Sequence, residues 1–114
     1  MKTSNQYMGD NAEELSAQFF NMKPTIASGR FKIDKLDNSN EFVKSEIKST
    51  KNKSYSIQHA KLELWKLQAS KSGKKFFAHI FFADPNGKLN IQDSVVLIDP
   101  RFLKSLLENQ KDVE

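Results

Sequence analysis

No cysteine occurs among these 114 residues, which excludes a disulfide framework and a zinc–thiolate centre and leaves nothing that points to an oxidising compartment. Long apolar runs are missing too. The longest, Phe76 to Ala83, is interrupted by His79 and falls well short of the ~20 residues that a membrane-spanning helix requires. The opening Met1-Lys2-Thr3-Ser4-Asn5-Gln6 leads into no apolar signal segment, and there are no internal repeats or low-complexity tracts. A soluble cytoplasmic protein with no membrane partner is expected. Its length suits a single domain over residues 1–114 with a core of its own.

Acidic residues are scarce in one particular stretch. From Lys48 to Lys75 there are eight lysines and a single acid, Glu63, although the whole chain carries a net charge of only +4. The rest of the chain is therefore slightly acidic. A basic block on a near-neutral scaffold suits a polyanion, because each lysine that neutralises a phosphate releases a counterion. The same block also reads as a solvated surface that keeps the protein soluble.

The periodicity predicts a mixed α/β domain. Residues 1–8 are polar and are expected to fray. Ala12, Leu15, Phe19 and Met22 form a helical stripe from Asp10 to about Met22. The period then becomes two, with Phe31 and Ile33 alternating with Lys32 and Asp34. A second alternating run, Glu41 to Thr50, follows the turn-rich Asp37-Asn38-Ser39-Asn40, so a hairpin is expected. After a loop at Lys51-Asn52-Lys53-Ser54, a helix from Ser56 to about Ser72 would be capped by Ser56 and ended by Gly73. Its stripe is Ile57, Ala60, Leu64 and Leu67, with Trp65 near the edge. Phe76 to Ala83, apolar on both faces, reads as a strand buried in mid-sheet. A turn at Asp84-Pro85-Asn86-Gly87, short strands at Lys88–Gln92 and Ser94–Ile98, and a helix from Pro100 complete the chain. Asp99 would cap that last helix, and Leu103, Leu106 and Leu107 would be its buried side.

Within this frame Glu46-Ile47-Lys48 stands out. Alternate strand residues share a face, so an acid and a base one residue apart point the same way. A three-residue hairpin loop, Asn38-Ser39-Asn40, would pair Asp34 with Lys44 and Lys32 with Glu46, bringing Asp34 and Glu46 onto that face as diagonal neighbours. Two carboxylates beside an ammonium group suit Mg²⁺, which takes hard oxygen ligands and can activate water at phosphorus. Plainer readings stand alongside: two exposed strand acids, and a surface lysine paired with Glu46. Glu13, three residues after Asp10, fits a capping box. His59 and His79 have no partner at metal spacing and read as structural. Tyr55 and Trp65 could stack on bases, but aromatic residues on an apolar stripe are more often core.

The order of these motifs resembles the PD-(D/E)XK nuclease superfamily, and within it the archaeal type of Holliday-junction resolvase and its phage-borne relatives. Gly9-Asp10-Asn11-Ala12-Glu13 matches the Gly-x-x-Ala-Glu of their first helix, Asp34 the strand Asp, and Glu46-Ile47-Lys48 their Glu-x-Lys. Lys51 to Ser54, Gln58, Gly73 and Phe76 to Ala83 follow in the family's order. The likeness covers about residues 9–83; no Pro precedes Asp34, and 84–114 form an unmatched C-terminal extension. It implies a restriction-endonuclease-like core (helix, antiparallel hairpin, helix, buried strand) with a mixed central sheet and a C-terminal strand and helix added. It also implies a Mg²⁺-dependent DNA endonuclease, Mn²⁺ substituting, that acts as a homodimer on branched DNA in recombination and repair. The catalytic residues would be Glu13, Asp34, Glu46, Lys48 and Gln58. The metal would be held by Asp34, Glu46, the Ile47 carbonyl and Glu13, and DNA by Arg30, Lys51, Lys53 and Lys61. The alternatives are another repair or restriction nuclease of this fold, and a non-catalytic nucleic-acid-binding protein.

Overall fold

The computed structural model describes residues 2–25 and 36–111. Asp34 and Arg30, together with the expected strand from Phe31, lie outside the described residues. The chain builds α1 (Ser4–Phe20), β1 (Lys23–Pro24), β2 (Asn38–Ser39), β3 (Val43–Thr50), α2 (His59–Lys71), β4 (Lys75–Phe82), a 3₁₀ turn (Ile91–Asp93), β5 (Ser94–Ile98) and α3 (Pro100–Lys111). The strands form one mixed sheet in the order β1-β2-β3-β4-β5. Only β3 and β4, joined through α2, run parallel; the other neighbours are antiparallel.

Helix α1 begins six residues before the predicted start. Thr3 is its N-cap, and Thr3 and Gln6 bond reciprocally as a capping box, which satisfies two of the free N–H groups at the helix end. Residues 4–8 are therefore helical rather than frayed. Asp10 and Glu13 sit in the helix interior, so the capping box expected of them does not form. The helix closes on Asn21, which takes the left-handed conformation at φ 54°. Its inner surface is Ala12, Ser16 and Ala17, small residues that let the helix lie close on the sheet, while Phe19 is exposed.

The two faces of the sheet carry separate cores. On one, Ala12 packs with Ile47, Phe81 and Leu89, flanked by Met8 and Leu15. On the other, Trp65 and Ala69 of α2 pack on Leu36, Phe76 and Ala78, flanked by Ile57 and Leu62. The inner stripe of α2 is thus Leu62, Trp65 and Ala69, whereas the predicted stripe members Leu64 and Leu67 are exposed. Trp65 decides this phase, since its large apolar area outweighs two leucines at the rim. The helix starts at His59 with Gln58 as N-cap and no side-chain cap bond, so Ser56 does not cap it. Gly73, at φ 69°, ends the turn that follows α2. As expected, β4 is buried on both faces.

The hairpin register differs from the predicted one. Asn38 pairs with Ser45 and Ser39 with Lys44, so two of the three residues expected in the loop are strand and the partner of Lys44 is Ser39 rather than Asp34. The turn falls later, at Asn40 to Val43. There the Asn40 carboxamide accepts hydrogen bonds from the N–H groups of Phe42 and Val43, both at 2.8 Å, and the Asn40 N–H donates to the Val43 carbonyl. Asn side chains stabilise turns in this way. Residues Lys88 to Asn90 form no strand: the Asp84 carboxylate accepts from the N–H groups of Asn86 and Lys88, folding this segment back as a turn that leads into the 3₁₀ turn. No helix among the described residues is long and apolar enough to cross a membrane.

Candidate active site

The shifted register determines which carboxylate meets Glu46. One step beyond the last ladder pair, Asp37 falls opposite Glu46, and directly opposed residues share a face. Asp37 lies within hydrogen-bonding reach of Glu46, and its Oδ2 accepts the Ile47 N–H at 2.7 Å. Its own backbone carbonyl accepts the Thr25 N–H at 2.9 Å. The aspartate is held from both sides, at the end of β2 where the ladder would otherwise leave the Ile47 N–H unpaired. The N–H and C=O of one strand residue project to the same side, so the Ile47 carbonyl faces this edge as well.

Glu46 and Lys48 project to the α2 face, as alternation required. Glu46 Oε2 and Lys48 Nζ are 3.1 Å apart, and the two side chains are 12% and 34% exposed, so the cluster opens to solvent on the lysine side. The Lys48 ammonium also stands 5.6 Å from the centre of the Trp65 ring, within cation–π range. Burial, and then the Asp37 charge, push the Glu46 carboxyl up to about 7; the Lys48 charge only partly offsets them. Burial acts to lower the Lys48 pKa, but the charge and hydrogen bond of Glu46 outweigh it, and the net direction is upward. Two carboxyls crowded in a poorly solvated site carry an excess of negative charge that one ammonium does not cancel.

The other residues named from sequence are distributed unevenly. Glu13 is on α1, which packs on the Ile47 face, opposite to Glu46 and Lys48. Its backbone carbonyl accepts the Asn38 side-chain amide at 2.9 Å. Among the described residues no group of three or more acidic, histidine or cysteine side chains converges on one point, so Glu13 does not join Asp37 and Glu46. Gln58 is exposed at the start of α2. Lys51 and Lys53 are exposed in the loop that continues β3 beyond Lys48, and Lys61 is exposed on α2.

Asp37 is the residue that sequence reasoning missed. It opens the polar, turn-rich run Asp37-Asn38-Ser39-Asn40, whose composition predicts a chain reversal and no site. The usable signal was Asn40, whose turn chemistry moves the reversal by several residues and turns Asp37 into the strand-end partner of Glu46. His79 is structural, as expected, buried between Ser16 and Ser94 at 2.6 and 2.8 Å, while exposed His59 faces Glu63 one helical turn on. Trp65 belongs to the core. No family model, curated protein or solved structure matches this chain.

Proposed function

We propose that this chain is a metal-dependent endodeoxyribonuclease that hydrolyses DNA phosphodiesters. The observation that carries the reading is the contact of Asp37 with Glu46, with the Lys48 ammonium 3.1 Å away. The donor set fits Mg²⁺: Asp37, Glu46 and the Ile47 carbonyl offer hard oxygens, and of the burial and like-charge crowding that together lift Glu46 to about 7, the crowding is what a divalent cation relieves. Mn²⁺, with similar ligand preferences, would substitute. When bound, such an ion supplies charge against the phosphate and acidifies a water molecule. Lys48, fixed by Glu46 and by Trp65, offsets charge developing on the phosphate or orients the attacking water. Lys51, Lys53 and Lys61 hold the sugar–phosphate backbone. In this assignment Asp37 takes the role that the resemblance implies for Asp34, and Glu13 supports β2 through its backbone. The resemblance to junction resolvases makes branched DNA the substrate of choice, cut within recombination or repair.

The test is incubation with labelled four-way junction, linear duplex and single-stranded DNA, each with Mg²⁺ and with chelator. Cleavage that requires the metal, favours the junction and is lost in Glu46→Gln and Lys48→Ala supports the reading. Metal-dependent cutting of duplex alone would instead indicate a restriction-type or repair nuclease. A second reading, a non-catalytic nucleic-acid-binding protein, draws on the gathering of only two carboxylates among the described residues and on the Glu46–Lys48 ion pair. Tight DNA binding with no cleavage, indifferent to both substitutions, would favour it.

A further inference from the structure

A second concentration of positive charge lies away from Glu46, at the end of the sheet where β4 begins. A cleft of about 500 Å³ opens there between α2 and the root of α3. Four cations line it, Lys66, Lys74, Lys75 and Arg101, against two acids, Glu63 and Asp99. Both acids are already engaged. Asp99 caps α3 by accepting the Arg101 N–H at 2.8 Å, and its carboxylate meets Arg101 at 3.0 Å and Lys66 at 3.4 Å. Glu63 faces His59 at 3.5 Å.

Lys74 and Lys75 carry the surplus. Lys74 Nζ donates to the Asn40 carbonyl at 2.6 Å, a neutral partner that fixes the ammonium without cancelling its charge, and Lys75 is exposed. Among the described residues neither forms an ion pair. Phe42 adjoins them, since its carbonyl accepts the Lys75 N–H at 2.9 Å. At 68% it is the most exposed large apolar residue among those described. Asn40 holds both groups in place, its carbonyl taking the Lys74 ammonium and its side chain the Phe42 N–H at 2.8 Å. A single exposed ring is ordinary. A ring fixed by the same residue that fixes an uncancelled lysine, at the edge of a basic cleft, is the pairing of aromatic face and cation that nucleotides require.

We propose that this corner binds an unpaired nucleic-acid strand, with a base stacked on Phe42 and the adjoining phosphates held by Lys74 and Lys75. A ring face serves a base that has left the helical stack, so paired DNA gains the lysine contacts but not the ring. A free nucleotide fits less well. Small ligands are held in pockets that cover most of their surface, whereas Phe42 and the 88% exposed Arg101 side chain enclose nothing. A strand instead sums several open contacts of this kind. Lys51 and Lys53 follow the other end of the eight-residue β3, roughly 30 Å from Phe42 at the rise of an extended chain. The corner is therefore a contact separate from theirs. It rests on the nucleic-acid reading above for its class of ligand, and it needs no chemistry at Glu46.

Fluorescence anisotropy in chelator and at low salt tests it, with the whole chain titrated against a short fluorescein-labelled oligothymidylate and against a duplex of the same length. The oligothymidylate should bind more tightly than the duplex, by about five-fold or more. Phe42→Ala should remove that preference by weakening the oligothymidylate alone, and Phe42→Trp should keep it. Lys75→Glu should weaken both ligands and flatten their salt dependence. Both side chains are exposed, so thermal unfolding of the variants should match the wild type. No binding, equal affinity for the two ligands, or an oligothymidylate affinity indifferent to Phe42→Ala and Lys75→Glu would overturn the proposal. So would thymidine monophosphate that competes as well as the same concentration of nucleotide in the strand, which would assign the cleft to a free nucleotide. Cleavage of the junction in Mg²⁺, measured separately, reports on Glu46 and Lys48 whichever way these titrations fall.

Discussion

Glu46 has both a cost and a use. Its carboxyl moves from the ordinary 4.5 to about 7, so the folded state holds this proton more firmly than the unfolded state. The stability that protonation gives is full below pH 4.5 and is lost as the pH rises through 7, on the order of 3 kcal/mol in all. Glu46→Gln removes that loss. In chelator at pH 8 we expect the variant to resist urea better than the wild type, by about 1–3 kcal/mol, while losing Mg²⁺-dependent cleavage. Equilibrium unfolding curves at pH 5 and pH 8 check the sign, since the advantage should shrink at the lower value. A metal ion competes with the same proton. The Mg²⁺ concentration for half-maximal stabilisation should therefore fall about tenfold per pH unit up to 7 and then level off, as thermal shifts over a pH series would reveal.

His79 behaves in the opposite sense, because burial lowers its pKa to about 4. Ser94 Oγ donates to the Ile91 carbonyl at 2.6 Å, so it accepts from His79 Nε2, leaving Nδ1 to accept from Ser16. This neutral ring ties α1 to β4 and β5. With the folded pKa depressed, the contribution is complete above pH 6.5 and is lost as the pH falls toward 4, roughly 3 kcal/mol over the window. Urea midpoints should drop between pH 6.5 and 4, and His79→Phe, which has no proton to gain, should flatten that dependence even if its packing is poorer.

At the scale of elements, the outcome of each sequence signal follows from how many residues have to agree. The double-faced apolar run became β4 because eight consecutive side chains support one reading. Its parallel pairing with β3 then fixed the face on which Glu46 and Lys48 stand. The hairpin was harder, since one residue of slippage exchanges the faces of a strand and a single side chain, Asn40, chooses the register. Asn40→Ala removes the one side-chain oxygen that accepts both hydrogen bonds of the turn and should destabilise the fold by about 1–2 kcal/mol. It should also reduce cleavage disproportionately, because the turn positions Asp37. Comparing urea unfolding with cleavage rate in that variant separates positioning from general loss of stability. In α2 and α3 the periodicity identified the helices but not their buried faces. Trp65 overrode the leucine stripe of α2, and among the described residues the apolar stripe of α3 stays about half exposed.

At the scale of the whole molecule, the chemistry shares a face of the sheet with one of its two cores. The α1 face is packed with Ile47, Phe81 and Leu89, while on the α2 face the Glu46–Lys48 pair stands beside Trp65, a member of the other core. Those apolar neighbours leave Glu46 poorly solvated, and so strained electrostatically. The acid–any–base triplet and the lysine block were legible in the linear sequence because they are local. The Asp37–Glu46 contact was not, as it depends on a register set between them.

The most direct measurement is the Mg²⁺-dependent rate at which the wild type and Asp37→Asn cut a labelled four-way junction, with circular dichroism and junction affinity recorded in parallel. We expect Asp37→Asn to remain folded, to bind the junction within a few-fold of the wild type and to cut it at least 10²–10³-fold more slowly. Cutting at the wild-type rate by folded Asp37→Asn would contradict the account, for Glu46 and Lys48 would then be doing without the carboxylate that the fold places beside them.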